Sequence, residues 1–203
     1  MAKVTFNMTM SLDGFVSGPQ DGPDNGRGEG GDQLFEWYFG GDTEVPISDG
    51  NMTLKVSPQS AALLQEAFQS YGAGVWGRRT FDIARAWGGH PPGKPCFIVT
   101  HHVPDEWVYP GSPFVFVTDG VESAVRQARA AAGDKDVVLC TASILQQCLD
   151  AGLVDEIHVD VAPLLLGDGV RLFDHLKIEP TRLECIRVVS APGVTHLGFR
   201  LLR

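Results

Sequence analysis

The chain has 203 residues, 43% of them hydrophobic, and a formal net charge of −9. This length and apolar content suffice for one sizeable core, and no linker-like stretch divides the sequence, so we expect a single domain over residues 1–203. The acidic balance argues against a nucleic-acid partner, because phosphate neutralisation needs a basic surface. No apolar run is long enough to span a membrane, and the first residues resemble a strand rather than a signal peptide, so we expect a cytoplasmic protein.

Strand and helix patterns alternate along most of the chain. Alternating apolar and polar residues predict half-buried strands, continuous apolar runs predict buried central strands, and the pair Ser57-Pro58 marks the start of a helix. In chain order, we expect a strand at 4–10, a loop at 17–31, an aromatic helix at 32–39, irregular chain at 42–56, a helix at 58–71, a strand at 73–76, a helix at 79–86, strands at 96–99 and 114–117, a helix at 121–132, a strand at 136–140, a helix at 143–151, and strands at 156–162, 181–190 and 195–202.

This order predicts the fold class. Helices stand between most consecutive strands, which is typical of a largely parallel sheet covered on both faces. The last two strands have no helix between them and flank Ala191-Pro192-Gly193, so we expect an antiparallel hairpin at the edge of the sheet. The prediction is therefore an α/β, three-layer sandwich with a mostly parallel central sheet and an antiparallel C-terminal hairpin.

Two patterns that suggest ligand sites lack the context that such sites need. The cysteines are far apart, with no CxxC spacing, and His101-His102 has no third ligand at a usable distance, so we expect no metal site. The run from Gly26 to Gly31 matches G-x-G-x-x-G, but it follows a loop and not a strand. We interpret it as part of a flexible loop, which can still close over a ligand as a lid.

The segment Gly77-Arg78-Arg79-Thr80 predicts a phosphate site. It follows a short apolar run and precedes a helical pattern, so the guanidinium groups and the hydroxyl fall at a helix N-terminus. Free N–H groups and the helix dipole favour anions there, and glycine lets the backbone approach a ligand closely. The alternative is an ordinary helix start with solvated arginines.

Four segments in order resemble the dihydrofolate-reductase-like superfamily, and within it the C-terminal reductase domain of bifunctional riboflavin-biosynthesis deaminase-reductases and its stand-alone relatives. No zinc signature of the deaminase half precedes them. The resemblance implies a dihydrofolate-reductase-like fold and an NADPH-dependent reductase. The segments are Ser11-Leu12-Asp13-Gly14, Gly77-Arg78-Arg79-Thr80, Gly152-Leu153-Val154-Asp155-Glu156 and Pro163-Leu164-Leu165-Leu166-Gly167-Asp168-Gly169 running into Leu172-Phe173.

The resemblance also implies where the cofactor binds. The family places its cofactor phosphates on the Gly-Arg-x-Thr block and its adenosine 2′-phosphate after the next strand. In the family, a Gly-Gly pair lets the backbone approach the pyrophosphate, but this chain has Cys140-Thr141 at that place. The hydroxyls of Thr141 and Ser143 are alternative donors to the phosphate. The implied cofactor residues are Gly77, Arg78, Arg79, Thr80, Thr100, His101, Thr141, Ala142, Ser143 and Ile144.

Candidate substrate residues are less well defined. Asp13 follows the first strand and is either a turn residue or a catalytic group at the mouth of the pocket. Glu156 opens a strand and either forms a structural pair or contacts a substrate hydroxyl. Trp37 and Trp87 are aromatic candidates for covering the substrate, with core packing as the alternative. Asp32 and Glu36 do not match the spacing of the dihydrofolate-reductase carboxylate, so dihydrofolate is not the expected substrate.

The resulting hypothesis is an NADPH-dependent oxidoreductase that transfers a hydride to a C=N or C=O group of a small pterin-like, flavin-precursor or sugar-derived substrate. No side chain stands out as the proton donor; Asp13 or water remains open. The alternative is a non-catalytic ligand-binding protein of the same fold. The resemblance and the edge strands favour a homodimer, with no membrane partner.

Overall fold

The computed structural model describes residues 2–47, 50 and 52–202. Strands and helices alternate along most of the chain, in agreement with the apolar runs and amphipathic segments of the sequence. The strands are β1 (Val4–Ser11), β2 (Phe15–Ser17), β3 (Thr43–Ile47), β4 (Met52–Val56), β5 (Tyr71–Gly77), β6 (Cys96–Val99), β7 (Phe114–Val117), β8 (Asp136–Leu139), β9 (Glu156–Ala162), β10 (Val170–Arg171), β11 (Leu183–Ala191) and β12 (Val194–Leu201). The α-helices are α1 (Pro58–Ser70), α2 (Arg78–Ile83), α3 (Val121–Ala132) and α4 (Ala142–Asp150), and the 3-10 helices are Gly31–Tyr38, Arg85–Gly89 and Asp105–Trp107.

Eight of these strands form one sheet in the order β11-β12-β9-β1-β8-β5-β6-β7. The six strands from β9 to β7 are parallel, whereas β12 pairs antiparallel with β9, and β11 with β12. Helices α3 and α4 cover one face through a continuous apolar cluster. The 3-10 helix Gly31–Tyr38, the β3–β4 hairpin, α1 and α2 cover the edges of the other face through two separate clusters. The predicted fold class is therefore confirmed, including the antiparallel hairpin at the C-terminal end.

The alternation of side chains in β1 explains why the two faces of the sheet differ. Val4 and Phe6 point into the core under α3 and α4, where they are fully buried. Thr5, Asn7 and Thr9 point to the opposite face, because successive side chains of a strand alternate. These polar residues lie between the two apolar clusters, and they leave the middle of that face free for a cavity.

The prediction of irregular chain at 42–56 is wrong. Strands β3 and β4 form an antiparallel hairpin there, with Val45, Leu54 and Val56 buried against Trp37. Pro46 obscures the strand pattern, because proline is disfavoured in strands except at edges. Residues 48, 49 and 51, between these two strands in the sequence, lie outside the described part of the chain.

Two predicted helices also differ from the structure. The aromatic helix predicted at 32–39 is a 3-10 helix over Gly31–Tyr38, and the helix predicted at 79–86 ends at Ile83. From Arg85 to Gly88 the backbone has φ between 48° and 60°. Three non-glycine residues in a left-handed conformation cost roughly 1–2 kcal/mol each. Burial of Ala86 and of most of the Trp87 ring offsets this cost.

Among the described residues, no helix is long and apolar enough to cross a membrane. The longest helix, α1, has 13 residues.

Candidate active site

A cavity of about 1570 Å³ lies over the polar face of the central strands. It extends from the carboxyl ends of the parallel strands, near Thr141, to their amino ends, near Lys3. Strand β8 ends at Leu139, opposite Phe6, whereas β1 continues to Ser11, so the carboxyl-terminal half of β1 extends beyond β8. Ligands of open α/β sheets bind in such a crevice outside the carboxyl ends of the strands.

The carboxyl end of the cavity carries hydrogen-bond donors. Helix α4 begins there, and no side chain caps its N-terminus. The hydroxyl of Thr141 is buried without a hydrogen-bond partner, and a Cβ on Gly77 would lie 3.1 Å from it and 3.2 Å from the hydroxyl of Ser143. Gly77 therefore leaves room for both hydroxyls beside the free N–H groups of the helix. Such an arrangement is suited to an anion.

The two arginines of the predicted phosphate block occupy different positions. Arg79 lines the cavity, and its guanidinium donates hydrogen bonds to the carboxylate and the backbone carbonyl of Asp21. Arg78 forms an ion pair with Asp82 and donates to the carbonyl of His102. The loop that contains Asp21 is thus held against α2 beside the carboxyl end of the cavity.

The structure brings only part of the predicted cofactor set into the cavity. Arg79, Thr80, Thr141, Ala142 and Ser143 line it. The other members lie around this group: Ile144 is in the core, Thr100 is buried beside Arg78 and accepts a hydrogen bond from its guanidinium, and His101 is exposed on the surface.

Asp13 holds a turn instead of facing the cavity. Its two carboxylate oxygens accept hydrogen bonds from the N–H groups of Leu166 and Gly167, at 3.1 and 2.7 Å. The Ser11 hydroxyl, and then these N–H groups, hold the pKa of Asp13 below its usual range. The residue is not among those that line the cavity. The turn interpretation of Asp13 therefore has the better geometric support.

The two candidate tryptophans lie in the apolar clusters that flank the cavity. Trp37 is buried against β3 and β4. Trp87 packs edge-on against Trp76, with ring centroids 4.8 Å apart, and is part of the other cluster. Tyr38, the neighbour of Trp37, lines the cavity instead. Burial, and then the negative charge of Asp160, raises the pKa of Tyr38 to about 12, so its hydroxyl stays protonated and can donate.

Strand β9 contributes a row of ionisable side chains to the cavity floor. Glu156, His158 and Asp160 alternate with the apolar residues of β9 and face the same side as Thr5 and Thr9 of β1. Burial lowers the pKa of His158, which favours its neutral form near pH 7. Three ionisable groups on one strand face are unusual in a sheet interior, because buried charges are costly unless paired.

At the amino end of this row, Glu156 has cationic neighbours. Lys3 lies 3.0 Å from its carboxylate, and the Arg200 guanidinium lies 3.3 Å from it. Burial acts to raise the pKa of Glu156, but the two cations outweigh burial and hold the pKa below its usual value. Glu156 lines the cavity, and its ion pairs with Lys3 and Arg200 agree with the structural alternative; contact with a substrate stays a prediction.

At the other end of the row, Asp160 is linked to a histidine and two serines. Oδ1 of Asp160 lies 2.6 Å from Nδ1 of His196 on β12, and Nε2 of His196 lies 2.9 Å from Oγ of Ser60. The Ser57 hydroxyl donates to Ser60 and also caps helix α1. Asp160 and His196 are each 4% exposed, and both line the cavity.

The sequence reasoning did not identify Tyr38, His158, Asp160 or His196 as site residues. The alternation over 156–162 predicts a strand, and of its polar positions only Glu156 is a sequence-based site candidate. The available signal was the ionisable character of all three alternate residues in 156–160. Whether these residues face a cavity depends on how β9 pairs with β1, and the sequence of one segment does not reveal that pairing.

The model of the RibD C-terminal domain family matches residues 2–197. The chain belongs to this family. Family membership identifies it as an oxidoreductase, a reductase of the riboflavin-biosynthesis type. No curated protein matches the sequence at a significant level.

Solved structures share the RibD C-terminal fold at low sequence identity. A protein from Shewanella sp. PV-4 assigned to riboflavin biosynthesis has 20% identity and a TM-score of 0.68, with 99% of each chain covered. A pyrimidine reductase-like protein from Corynebacterium diphtheriae has 14% identity and a TM-score of 0.61, with 100% of this chain and 92% of that one covered. The Thermotoga maritima diaminohydroxyphosphoribosylaminopyrimidine deaminase/5-amino-6-(5-phosphoribosylamino)uracil reductase has 12% identity and a TM-score of 0.61, and the match covers 99% of this chain and 57% of the longer enzyme.

Cys140 and Thr141, which replace the family's Gly-Gly pair in this RibD C-terminal domain, need no special backbone conformation. Thr141 has φ −144° and ψ 151°, which any residue adopts, and Cys140 is not among the residues with positive φ. The Thr141 hydroxyl is an unpartnered buried donor at the start of α4. The residues present therefore fit a phosphate-bearing cofactor by donor chemistry.

Proposed function

We propose that the protein is an NADPH-dependent reductase that acts on a C=N or C=O group of a small pterin-like, flavin-precursor or sugar-derived substrate. One observation carries the proposal. The uncapped N-terminus of α4, the unpartnered Thr141 hydroxyl and the Arg79 guanidinium converge at the carboxyl end of a cavity that continues over a polar strand face. This combination supports an anionic cofactor at one end and a polar substrate beside it.

The residues of this chain have separate tasks in the proposed reaction. The N–H groups at the start of α4, with Thr141 and Ser143, would hold the pyrophosphate, and Arg79 would contribute the charge that favours a phosphorylated ribose. A nicotinamide held there would supply the hydride. Tyr38, Thr9 and Asp160 line the adjoining floor and would orient the substrate. The apolar clusters on both sides limit access of water to the reacting atoms.

Calorimetric titration with NADPH tests this proposal, with NADH as the comparison for phosphate discrimination. Two arginines provide a matched pair of variants, because each holds the loop 18–30 through an aspartate but only Arg79 lines the cavity. We expect Arg79→Met to weaken NADPH binding about tenfold, a loss of about 1.4 kcal/mol, and Arg85→Met to leave it unchanged. Absence of NADPH binding at millimolar concentration contradicts the reductase assignment.

The alternative function is binding of a ligand without turnover. Two observations favour it: bulkier residues at 140–141 replace the glycine pair of the family, and both guanidinium groups of the phosphate block already contact acceptors of the protein itself. Stopped-flow absorbance with NADPH and a panel of C=N and C=O compounds distinguishes the two. Loss of the NADPH absorbance supports the reductase, whereas binding without oxidation supports the alternative.

We also propose that the protein is a homodimer in the cytoplasm, without a nucleic-acid partner. Strand β11 is an edge of the eight-stranded sheet, and Leu183 and Val188 on it are exposed. An uncovered edge with apolar side chains favours pairing with a second copy. Light scattering should give twice the monomer mass for the wild type and for Val115→Lys on the opposite edge, but the monomer mass for Val188→Lys. A monomeric wild type contradicts the proposal.

A further inference from the structure

Helix α1 buries only its first turn. Ser60 and Ala61 are buried, but none of the later residues of the helix, all of which the structure describes, is buried. Leu63, Leu64 and Ala67 lie on one face at the spacing of an amphipathic helix, and all three line the cavity. Helices of globular proteins are stabilised mainly by the packing of such a face, so its incomplete burial indicates a place for a ligand.

The β3–β4 hairpin extends this apolar surface. Ile47 of β3 pairs with Met52 of β4, and both residues line the cavity. Ile47 packs on the same apolar cluster as Leu64, so the hairpin and the helix form one continuous surface. Phe68, in the last turn of α1, is 44% exposed and also lines the cavity. We call the following residues the apolar wall: Ile47, Met52, Leu63, Leu64, Ala67 and Phe68.

The position of the apolar wall leaves it open to a second ligand beside the proposed cofactor. The cavity of about 1570 Å³ exceeds the roughly 300–1,000 Å³ of a pocket for one small ligand. Helix α1 runs directly into β5 at Tyr71, so its last turns lie near the amino ends of the parallel strands, away from the start of α4. The wall can therefore be occupied while a cofactor lies at the carboxyl end. Single exposed apolar residues are common, but contiguous ones on a concave surface mark a binding site.

The charged side chains at this end of the cavity do not favour an anion. Arg187 of β11 lies 2.7 Å from Glu66 of α1, and Lys3 and Arg200 are both paired with Glu156. A phosphate here would have to displace a carboxylate from one of these pairs and would then lie beside it. Burial of an apolar group against the wall needs no such exchange and is favourable in proportion to the area buried. The wall and its surroundings therefore favour an uncharged group.

We propose that the apolar wall binds an uncharged, hydrophobic substituent of the substrate, while the reacting C=N or C=O group lies over the polar strands. This inference rests on the proposed reductase function for the identification of the bound molecule as the substrate, but not for the binding itself. It narrows the substrate to compounds with a hydrophobic side group, and it sets aside phosphorylated sugar derivatives.

N-phenyl-1-naphthylamine, an uncharged aromatic amine whose fluorescence rises in apolar surroundings, tests the site on the wild-type protein. We expect saturable binding of one probe molecule per chain, and no displacement of the probe by millimolar ribose 5-phosphate. Absence of saturable binding overturns the inference, as does displacement by ribose 5-phosphate. A fluorescence signal per chain that rises on dilution of the protein also overturns it, because a second copy of the chain then covers the wall.

Matched substitutions assign the probe to the apolar wall. Ala67 and Ala62 are both exposed on α1, but only Ala67 lines the cavity. Ala67→Glu should weaken probe binding about tenfold, because it places a charge on the wall, and Ala62→Glu should leave binding unchanged. Phe68→Gln should also weaken binding, whereas Phe39→Gln, at a residue 54% exposed and outside the cavity, should not.

Probe affinities equal to that of the wild type in both Ala67→Glu and Phe68→Gln contradict the assignment, as does an equal loss in the two control variants. Thermal melts verify that each variant is folded. If Ala67→Glu is not folded, the pair Phe68→Gln and Phe39→Gln decides the question.

Calorimetric titration with NADPH, in the presence and absence of the probe, separates this inference from the proposed function. If the probe binds at the wall but NADPH does not bind, the reductase proposal fails and the hydrophobic site stands. If NADPH binds but the probe does not, the inference fails and the reductase proposal stands. Unchanged NADPH affinity with the probe bound supports both, because the two ligands then occupy separate parts of the cavity. Loss of NADPH binding in the presence of the probe assigns the probe to the cofactor site and overturns the inference.

Discussion

The contact between Asp21 and Arg79 predicts that the protein itself restrains the proposed cofactor site. The Asp21 carboxylate binds the guanidinium group that a cofactor phosphate would contact. The Asp21 side chain is 15% exposed, and the Arg79 side chain is 65% exposed. An ion pair with one partner this exposed contributes about 0.2–1 kcal/mol. Because 1.4 kcal/mol corresponds to a tenfold change in affinity, Asp21→Asn should tighten NADPH binding by about 1.5- to 5-fold. Calorimetry at low ionic strength measures the change.

A neighbouring aspartate provides the control for this prediction. Asp24 is in the same loop as Asp21 and pairs with Arg85, which does not line the cavity. Asp24→Asn should therefore leave NADPH affinity unchanged, although it loosens the loop to a similar extent. In about 0.5 M salt the gain in Asp21→Asn should shrink, because screening weakens the exposed pair. The reasoning is refuted if Asp21→Asn binds NADPH no better than the wild type, or if Asp24→Asn improves binding equally.

Three further changes test other parts of the structure. Thr141→Gly, which restores one glycine of the family pair, should weaken NADPH binding by about tenfold in calorimetry, because it removes a donor hydroxyl. The backbone gains nothing from the glycine, since φ of Thr141 is already in the extended region. Tighter binding would show that the threonine side chain obstructs the cofactor. Glu156→Gln should lower the urea midpoint at neutral pH, because Lys3 and Arg200 outweigh burial and depress the Glu156 pKa. This stabilisation is present above the pKa of the unfolded chain and is lost as pH falls through the lower folded pKa, so the difference between the two proteins should disappear in acid. Trp87→Ala should cost roughly 3 kcal/mol of unfolding free energy, the low end for a tryptophan, because Trp87 is only partly buried in its apolar cluster, and it should leave NADPH binding unchanged. A loss of NADPH affinity in a folded variant would instead support a ligand contact.

The fold could be predicted from the sequence because each element carries its own local signal. The alternation in β1 and β9 and the continuous apolar runs in β6 and β7 are properties of single segments. The β3–β4 hairpin was missed because Pro46 weakens the strand pattern, although the burial of Val45 and Leu54 stabilises the pair. Tertiary packing overrides local propensity at such positions.

The candidate site could be predicted only where one segment contains the whole signal. Gly77 to Thr80 is such a segment, and two of its residues, Arg79 and Thr80, line the cavity. The group of Asp160, His196 and Ser60 comes from three elements that are distant in sequence and close only after β9 has paired with β12 and α1 has packed on them. Asp13, conversely, had a suggestive position after β1, but its carboxylate is used by the N–H groups of a turn.

The charges along the cavity also determine which way a dinucleotide can lie. At the carboxyl end, the helix N–H groups, the hydroxyls of Thr141 and Ser143 and the Arg79 guanidinium offer donors to a ligand, although Arg79 already binds Asp21. On the floor, the Asp160 carboxylate would repel a pyrophosphate, whereas the Glu156 carboxylate is paired with Lys3 and Arg200. A reversed orientation would also leave the donors of α4 unused. The polarity of the cavity therefore favours the phosphates at α4.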